Sequence, residues 1–292
     1  MPELPEVETV RRGLERLIVG RKIKLVRVYE SPKSFPNNQA EVEQFAYGAT
    51  VTAVRRRAKV LLIELSTHYT FVTHLKMTGQ LVYVGNERFG AGHPSDSLVG
   101  TLPDRSTRVA ITFADTTTLF FNDQRKFGWM KLHPTLEVPN IDFMQKVGPE
   151  PLEDDFTPDV FIDRIRRRNN TTIKAAILDQ TVLAGVGNIY ADESLWGAKI
   201  HPATRVKDVS DERLAILLTE LKYVLNLAIE KGGSTDKNYV NAEGRRGSYI
   251  DFARVFRQEG KECPRHPDTV ILKTKVAGRG THICPLCQPA PQ

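Results

Sequence analysis

The chain has 292 residues, 40% of them hydrophobic, and a mean hydropathy of −0.32, which is room for two packed domains. No apolar run is long enough to cross a bilayer, the acidic, Pro-rich start does not fit a signal or transit peptide, and a cytoplasmic protein is expected. The formal charge of +6 is modest, but basic residues gather at 55–59 and 164–168, and separate basic patches suit a polyanion.

The chain opens Met1-Pro2-Glu3-Leu4-Pro5-Glu6-Val7-Glu8. Leu4, Val7, Val10, Leu14 and Leu17 recur at helical spacing and predict an amphipathic helix over residues 3–18, with Gly20 beyond its end. If Met1 is removed, Pro2 presents a secondary α-amine at a helix N-terminus, where the dipole disfavours added positive charge. An α-amine titrates at roughly 7.7–8, so a modest depression leaves it free at neutral pH. Such an amine is a candidate covalent nucleophile toward a sugar carbon at the aldehyde oxidation level. Glu3 and Glu6 lie beside it as candidate proton carriers. The same residues also describe an ordinary helix start.

Short β-rich runs come next, at residues 22–29, 50–55, 60–65, 69–74, 80–84, 108–113, 117–121 and 128–132, the pattern of a sandwich or barrel. Residues 85–106, with four Gly and two Pro, read as a long surface loop. Residues 135–155, rich in Pro, Asp and Glu, read as a linker between an N-terminal domain (1–134) and the C-terminal part of the chain. The period then becomes helical: a helix starts at Thr157-Pro158, and others fit 172–179, 188–198 and 210–231, the last ended by Gly232-Gly233. From Tyr249 the sequence turns β-like again. These changes divide the C-terminal part into a helical domain at 156–248 and a small domain at 249–292.

Several stretches carry chemistry. Cys263-Pro-Arg-His266 is followed after seventeen residues by Cys284-Pro-Leu-Cys287, and these are all three cysteines of the chain. An odd, clustered set argues against a disulfide framework. Two such knuckles fit one structural Zn2+ held by three thiolates and an imidazole, with His282 or Asp268 as alternative fourth ligands. Four protein ligands leave no open position for catalysis, and the metal would fold a small hairpin carrying Lys273, Lys275 and Arg279. Leu183-Ala184-Gly185-Val186-Gly187-Asn188 joins two helices, and the amides of the second helix with Asn188 can hold a phosphate. It lacks the strand context of a dinucleotide fold, so no nucleotide cofactor is expected. Asn122-Asp123-Gln124-Arg125-Lys126-Phe127-Gly128 reads as an inter-strand loop that can project an Arg and a Phe together into a duplex, with Met77 as a second apolar wedge. Lys59 follows three arginines and precedes an apolar strand, where it can meet a phosphate or assist proton transfer.

In order along the chain stand Pro-Glu-Leu-Pro-Glu-Val-Glu, Arg57-Ala58-Lys59, His74-Leu75-Lys76-Met77-Thr78-Gly79, Asp123-Gln124-Arg125-Lys126-Phe127-Gly128, Gly185-Val186-Gly187-Asn188-Ile189-Tyr190-Ala191 and the C-terminal finger. With these motifs the chain closely resembles the bacterial formamidopyrimidine-DNA glycosylase family, 8-oxoguanine repair enzymes of the helix–two-turn–helix superfamily. The resemblance runs from Pro2 to about Gln288. Leu4 favours this family over the related endonuclease VIII, which typically has Gly there. It implies an α+β fold: an N-terminal β-sandwich flanked by helices, then a helical helix–two-turn–helix domain ending in a zinc-finger β-hairpin. It implies a monomer that excises oxidised purines from damaged double-stranded DNA, with β,δ-elimination at the abasic site. Pro2 would attack C1′, Glu3 handle protons, Glu6 support the same site and Lys59 bind backbone near the lesion. Met77, Arg125 and Phe127 would fill the gap left by the flipped nucleotide, Arg125 facing the orphan cytosine. Asn188 and Arg279, joined by Lys174, would grip flanking phosphates, and residues 237–249, including Lys237, would close on the extruded base. The family's finger normally has four cysteines, and here His266 replaces one. The alternatives are a glycosylase for oxidised pyrimidines and a catalytically silent zinc-dependent DNA-binding protein.

Overall fold

The computed structural model describes residues 2–29, 32–93, 95–234 and 249–291. The chain divides into two compact units, one of Met1–Gln145 with Lys231–Ser248, the other of Lys146–Glu230 with Tyr249–Gln292. Lys237 and residues 237–248 of the expected base-closing segment lie outside the described residues. Among the described residues no helix is long and apolar enough to cross a membrane.

The first unit begins with α1 (Leu4–Ile18), whose apolar positions Leu4, Val7, Val10, Leu14 and Leu17 are all buried. β1 (Ile23–Val28) and α2 (Gln39–Ala46) follow. The periodicity did not suggest α2, yet Asn38 caps it by accepting the Glu41 N–H at 2.8 Å. Then come β2 (Val51–Arg57), β3 (Val60–Leu65), β4 (Tyr69–His74), β5 (Gly79–Val84), β6 (Arg88–Gly92), β7 (Thr107–Phe113), β8 (Thr118–Asp123) and β9 (Trp129–Pro134). They form two antiparallel sheets, one ordered β1-β7-β8-β5-β6 and the other β2-β3-β4-β9. Inward residues of both sheets, among them Val26, Ile63, Phe71, Leu81, Val109 and Phe121, share one core with α1. This is the expected sandwich. A 3₁₀ turn at Thr135–Asn140 and α3 (Asp142–Lys146) occupy much of the stretch expected to be a linker.

Residues 85–106 are not the long loop their Gly and Pro content suggested. They contain β6, which pairs with β5, and a 3₁₀ turn at Asp96–Leu98. Arg88 fixes that turn by donating to the carbonyls of Leu98 at 2.8 Å, Ser97 at 3.2 Å and Gly100 at 2.6 Å. Buried Phe89 points end-on at α1. A Cβ on Gly13 would lie 2.1 Å from its Cζ, so the helix and the strand approach only because that position is glycine. Arg16 and Glu87 add an exposed ion pair at 2.6 Å between the same two segments.

The second unit holds α4 (Pro158–Arg166), α5 (Ile173–Leu178), α6 (Asn188–Gly197), α7 (Asp211–Glu230) and α8 (Tyr249–Phe252). Thr157 and Thr172 cap α4 and α5 by accepting the N–H of Val160 and Ala175. Every residue of α6 from Tyr190 to Gly197 is buried, including Asp192 and Glu193. A central helix carrying two buried carboxylates needs polar partners from its neighbours. Glu193 finds them in the backbone N–H groups of Arg254, Val255 and Phe256, at 2.8–3.1 Å from Oε1. Two hairpins close the chain, β10 (Glu262–Cys263) with β11 (His266–Val270), and β12 (Leu272–Val276) with β13 (Arg279–Ile283). Ala277 and Gly278, both at positive φ, turn the second hairpin as two-residue primed turns require.

Candidate active site

The amino end of α1 is a reciprocal cap. Glu3 accepts the Glu6 N–H, and Glu6 Oε2 accepts the Glu3 N–H at 2.8 Å. The other oxygen of Glu6 accepts the Ser234 N–H at 2.7 Å. A Cβ on Gly233, which sits at φ +88°, would come within 3.1 Å of the Glu6 side chain, so glycine lets this backbone approach. Pro2, Glu3 and Glu6 are all buried. Two carboxylates are thus fixed at a helix N-terminus beside Pro2.

Glu8, one turn further on, binds this end of α1 to β2. It accepts Arg11 and Arg12 from its own helix and Arg56 at 3.2 Å, and Arg56 also donates to the Ala58 carbonyl at 2.9 Å. Burial alone would raise the Glu8 carboxyl, but its bonds to Arg11 and Arg12 outweigh that and hold it below the usual range. Arg56 therefore fastens the β2–β3 turn, which passes through Ala58 at φ 52° and carries buried Lys59. Nearby His74 is pushed down to about 3, by burial first and then by the positive charges of Lys76 and Lys59. Its Nδ1 accepts the Lys76 N–H at 3.0 Å, and its ring packs on Trp129 and Phe143. His74 is a neutral imidazole at neutral pH.

Met77, Arg125 and Phe127 project from two loops that are stitched together. Thr78 donates to Asp123, and both accept the Arg125 N–H, at 3.1 and 3.2 Å. The other Asp123 oxygen accepts the Gly128 N–H at 2.6 Å. Gly128 has no room for a side chain, because a Cβ would meet Asp123 Oδ2 and the Phe121 ring at 3.0 Å. The Arg125 guanidinium lies 4.9 Å over the Phe127 ring, and Phe127 and Met77 are 55% and 41% exposed. Lys76 and Lys126, each beside an exposed apolar residue, sit at positive φ. Two large apolar side chains are thus held outward beside a guanidinium rather than packed in the core.

In the second unit Asn188 opens α6 after Gly187, and its side chain donates to the Gly280 carbonyl at 3.0 Å. Exposed Arg279 is the neighbour of that glycine, so the helix end and the hairpin present their polar groups together. Lys174 is different. It is wholly buried, and its ammonium donates to Asp192 at 2.5 Å, Thr281 at 2.7 Å and the Gly280 carbonyl at 3.1 Å. The expectation that it grips a phosphate is corrected: its hydrogen bonds are spent inside the protein. Asp192 also accepts the backbone N–H and ring Nδ1–H of His282, and neither His282 nor Asp268 is among the residues that converge as candidate metal ligands.

Cys263, His266, Cys284 and Cys287 converge, with ligand atoms all within 4.8 Å of one another. Cys263 and Cys287 sulfurs are 3.7 Å apart, and His266 Nδ1 is 3.3 Å from Cys287 and 3.9 Å from Cys284. Thiolates bound to one tetrahedral zinc at ~2.3 Å stand ~3.8 Å apart, so the donor set fits a single ion of that kind. Trp196 packs in the same cluster, and Arg265, from the first knuckle, stacks 3.9 Å over its ring while donating to the carbonyls of Trp196 and Gly197 at the end of α6.

Of the expected site residues, the structure brings Pro2, Glu3 and Glu6 together, groups Met77, Arg125 and Phe127, places Asn188 beside Arg279, and assembles the four metal ligands. Glu8, Arg56, His74, Asp123 and Asp192 were not singled out from sequence. Each acts through a partner distant in the chain; Glu8, His74 and Asp123 lay inside recognised motifs, Arg56 and Asp192 outside them.

Comparison with known proteins agrees with this geometry. Residues 1–130 match the formamidopyrimidine-DNA glycosylase N-terminal domain and residues 147–239 its H2TH domain. The formamidopyrimidine-DNA glycosylase of Herpetosiphon aurantiacus is 43% identical, covering 99% of this chain and 100% of that protein, and that of Ligilactobacillus salivarius is 40% identical with 99% of each covered. The solved structure of a complex between the Lactococcus lactis Fpg and an abasic-site-containing DNA superposes with a TM-score of 0.86 at 34% identity, over 99% of this chain and 100% of that one. These matches define a DNA-repair glycosylase that binds DNA. The chain belongs to the formamidopyrimidine-DNA glycosylase family.

Proposed function

We propose that the protein is a bifunctional glycosylase and abasic-site lyase that removes 8-oxoguanine and formamidopyrimidines from bacterial duplex DNA in the cytoplasm, acting as a monomer. The observation that carries this reading is the cap at the start of α1, where Glu6 holds the Glu3 N–H at 2.8 Å and the Ser234 N–H at 2.7 Å beside Pro2. After loss of Met1 the Pro2 nitrogen is a secondary amine at a helix N-terminus. It bonds to C1′ as the glycosidic bond breaks; the base leaves with that bond's electron pair and takes up a proton, and the nitrogen gives up its own proton to solvent, which restores its lone pair. O4′ then leaves C1′ with a proton from Glu3, and the nitrogen lone pair closes an iminium ion. Removal of a C2′ proton expels the 3′ phosphate, and a second elimination expels the 5′ phosphate.

Extrusion of the base leaves a hole in the stack. Phe127 and Met77 fill it, and Arg125 reads the orphan cytosine edge. Lys59, Asn188 and Arg279 bind phosphates around the lesion, Lys237 belongs to the segment that closes on the base, and buried Lys174 serves by holding the hairpin that carries Arg279. Cys263, His266, Cys284 and Cys287 hold one Zn2+, which supplies structure alone because no ligand position stays open.

Borohydride trapping on duplex DNA with 8-oxoguanine opposite cytosine tests the assignment. A covalent adduct is expected with the processed protein, weaker with Pro2→Gly. No adduct, or an undiminished one in the variant, refutes Pro2 as nucleophile. Faster cleavage of thymine glycol than of 8-oxoguanine refutes the purine preference.

A further inference from the structure

The end of α4 carries more positive charge than the phosphate grip at Asn188 uses. Arg166 is spent on the Val206 and Val209 carbonyls and on Asp211. Arg164, Arg167 and Arg168 instead line a cavity of about 310 Å³ with Lys146, Thr181 and Val182. Arg164 Nε donates to the Val182 carbonyl at 2.8 Å and Nη2 to the Thr181 carbonyl at 2.6 Å. Arg168 Nε donates to Asp179 at 2.8 Å and Nη2 to the Thr181 hydroxyl at 3.2 Å. One edge of each guanidinium is therefore fixed, and among the described residues Nη1 of neither makes a hydrogen bond. Arg167 pairs with Asp163 in an exposed i,i+4 contact of the weak kind.

Three guanidinium groups and the Lys146 ammonium surround the cavity, and the acids paired with the arginines are Asp163 and Asp179. Burial lowers the Arg164 guanidinium, and the charge of Arg167 lowers it further. Crowded, pre-oriented guanidinium edges that outnumber their acids suit a tetrahedral oxyanion, which accepts from two of them at once.

We propose that this cavity is a second phosphate-binding site, one that takes a backbone phosphate of the duplex outside the segment held by Asn188 and Arg279. It rests on the reading of the protein as a DNA glycosylase. The turn that supplies Thr181 and Val182 to the cavity, and Asp179 to Arg168, runs on to Gly187 and Asn188. Gln180 stiffens that turn by bonding the Gly185 N–H at 2.9 Å and the Val186 carbonyl at 2.8 Å. One rigid turn thus serves two phosphates.

The test uses the doubly substituted Lys146→Gln/Arg167→Gln protein, which leaves the pinned Arg164 and Arg168 in place. Binding is measured on duplexes carrying an uncleavable abasic analogue, one short and one extended by about a helical turn (~10 base pairs) on each side. The long duplex should bind the variant severalfold more weakly, with the slope of log K against log salt reduced by about 0.9 for one lost phosphate. The short duplex should bind both proteins alike. Equal affinities and slopes on the long duplex overturn the proposal. Calorimetry with inorganic phosphate separates the sources: phosphate binding lost in the variant, with long-duplex binding unchanged, makes the ligand a free anion and overturns the DNA assignment. Failure of the glycosylase reading shows elsewhere, as a missing borohydride-trapped Pro2 adduct on a separate duplex carrying 8-oxoguanine opposite cytosine.

Discussion

Gly13→Ala is the most informative single change, because two known effects oppose each other there. The residue lies inside α1, where replacing Gly by Ala favours a helix by about 1 kcal/mol. Its Cβ would sit 2.1, 2.5 and 2.7 Å from three atoms of the Phe89 ring. Phe89 is 1% exposed and cannot swing into solvent. Overpacking of this kind costs about 1–3 kcal/mol, so the net loss of stability should be about 0–2 kcal/mol. Phe89→Leu shortens the group that clashes. In that background the steric penalty falls away, and Gly13→Ala should stabilise by nearly the full helical gain, about 1 kcal/mol. The coupling between the two positions should then reach about 1–3 kcal/mol. Urea unfolding of the four proteins, followed by the fluorescence of Trp129 in the same unit, measures each corner of the cycle. If Gly13→Ala changes stability equally in both backgrounds, the close approach of Phe89 is not what disfavours a side chain at position 13, and Phe89 does not hold β6 against α1.

Asp192→Asn removes the charge that holds buried Lys174 and should cost about 3–5 kcal/mol, read as early unfolding of the second unit; a loss under 1 kcal/mol would mean that the ion pair is dispensable. Asp123→Asn should loosen the loop bearing Arg125 and Phe127, weakening binding to an abasic-site duplex about tenfold while the melting temperature moves little, and unchanged affinity would refute Asp123 as its organiser. Because His74 protonates near 3 in the folded protein against 6.5 unfolded, the unfolded chain binds the extra proton between those values. Stability should therefore fall as pH drops through that window, by up to about 1.4 kcal/mol per pH unit, and more shallowly in His74→Gln; parallel curves would contradict this. His266→Ala should lower zinc content and DNA affinity together, whereas full zinc stoichiometry would show that the three thiolates suffice.

Local patterns foretold whatever depends on local spacing. The apolar positions of α1 and strands β3 and β4 needed only periodicity, and the two knuckles of the finger needed only the interval between ligands. What the sequence concealed depends on long-range packing. β6 looks like loop because all its residues but Phe89 are small or polar, and it is a strand because β5 offers an edge and Gly13 offers a socket for Phe89. Lys174 resembles a phosphate ligand until Asp192, a turn into another helix, takes its charge. The short helix α2 had a capping pair, Asn38 and Glu41, but too few turns to show a period.

The bond from Glu6 to Ser234 joins positions separated by 228 residues, with α4 to α7 of the second unit lying between them in sequence. On a ribosome, Glu6 must therefore wait for its second partner until that entire helical stretch has been made. At roughly 5–20 residues per second this delay is about 10–45 s. The N-terminal sandwich can gather its core early, but the end of the chain that bears Glu3 and Glu6 stays unfinished until translation is well past the middle. A DNA-repair glycosylase is by this connectivity kept incomplete for most of its own synthesis.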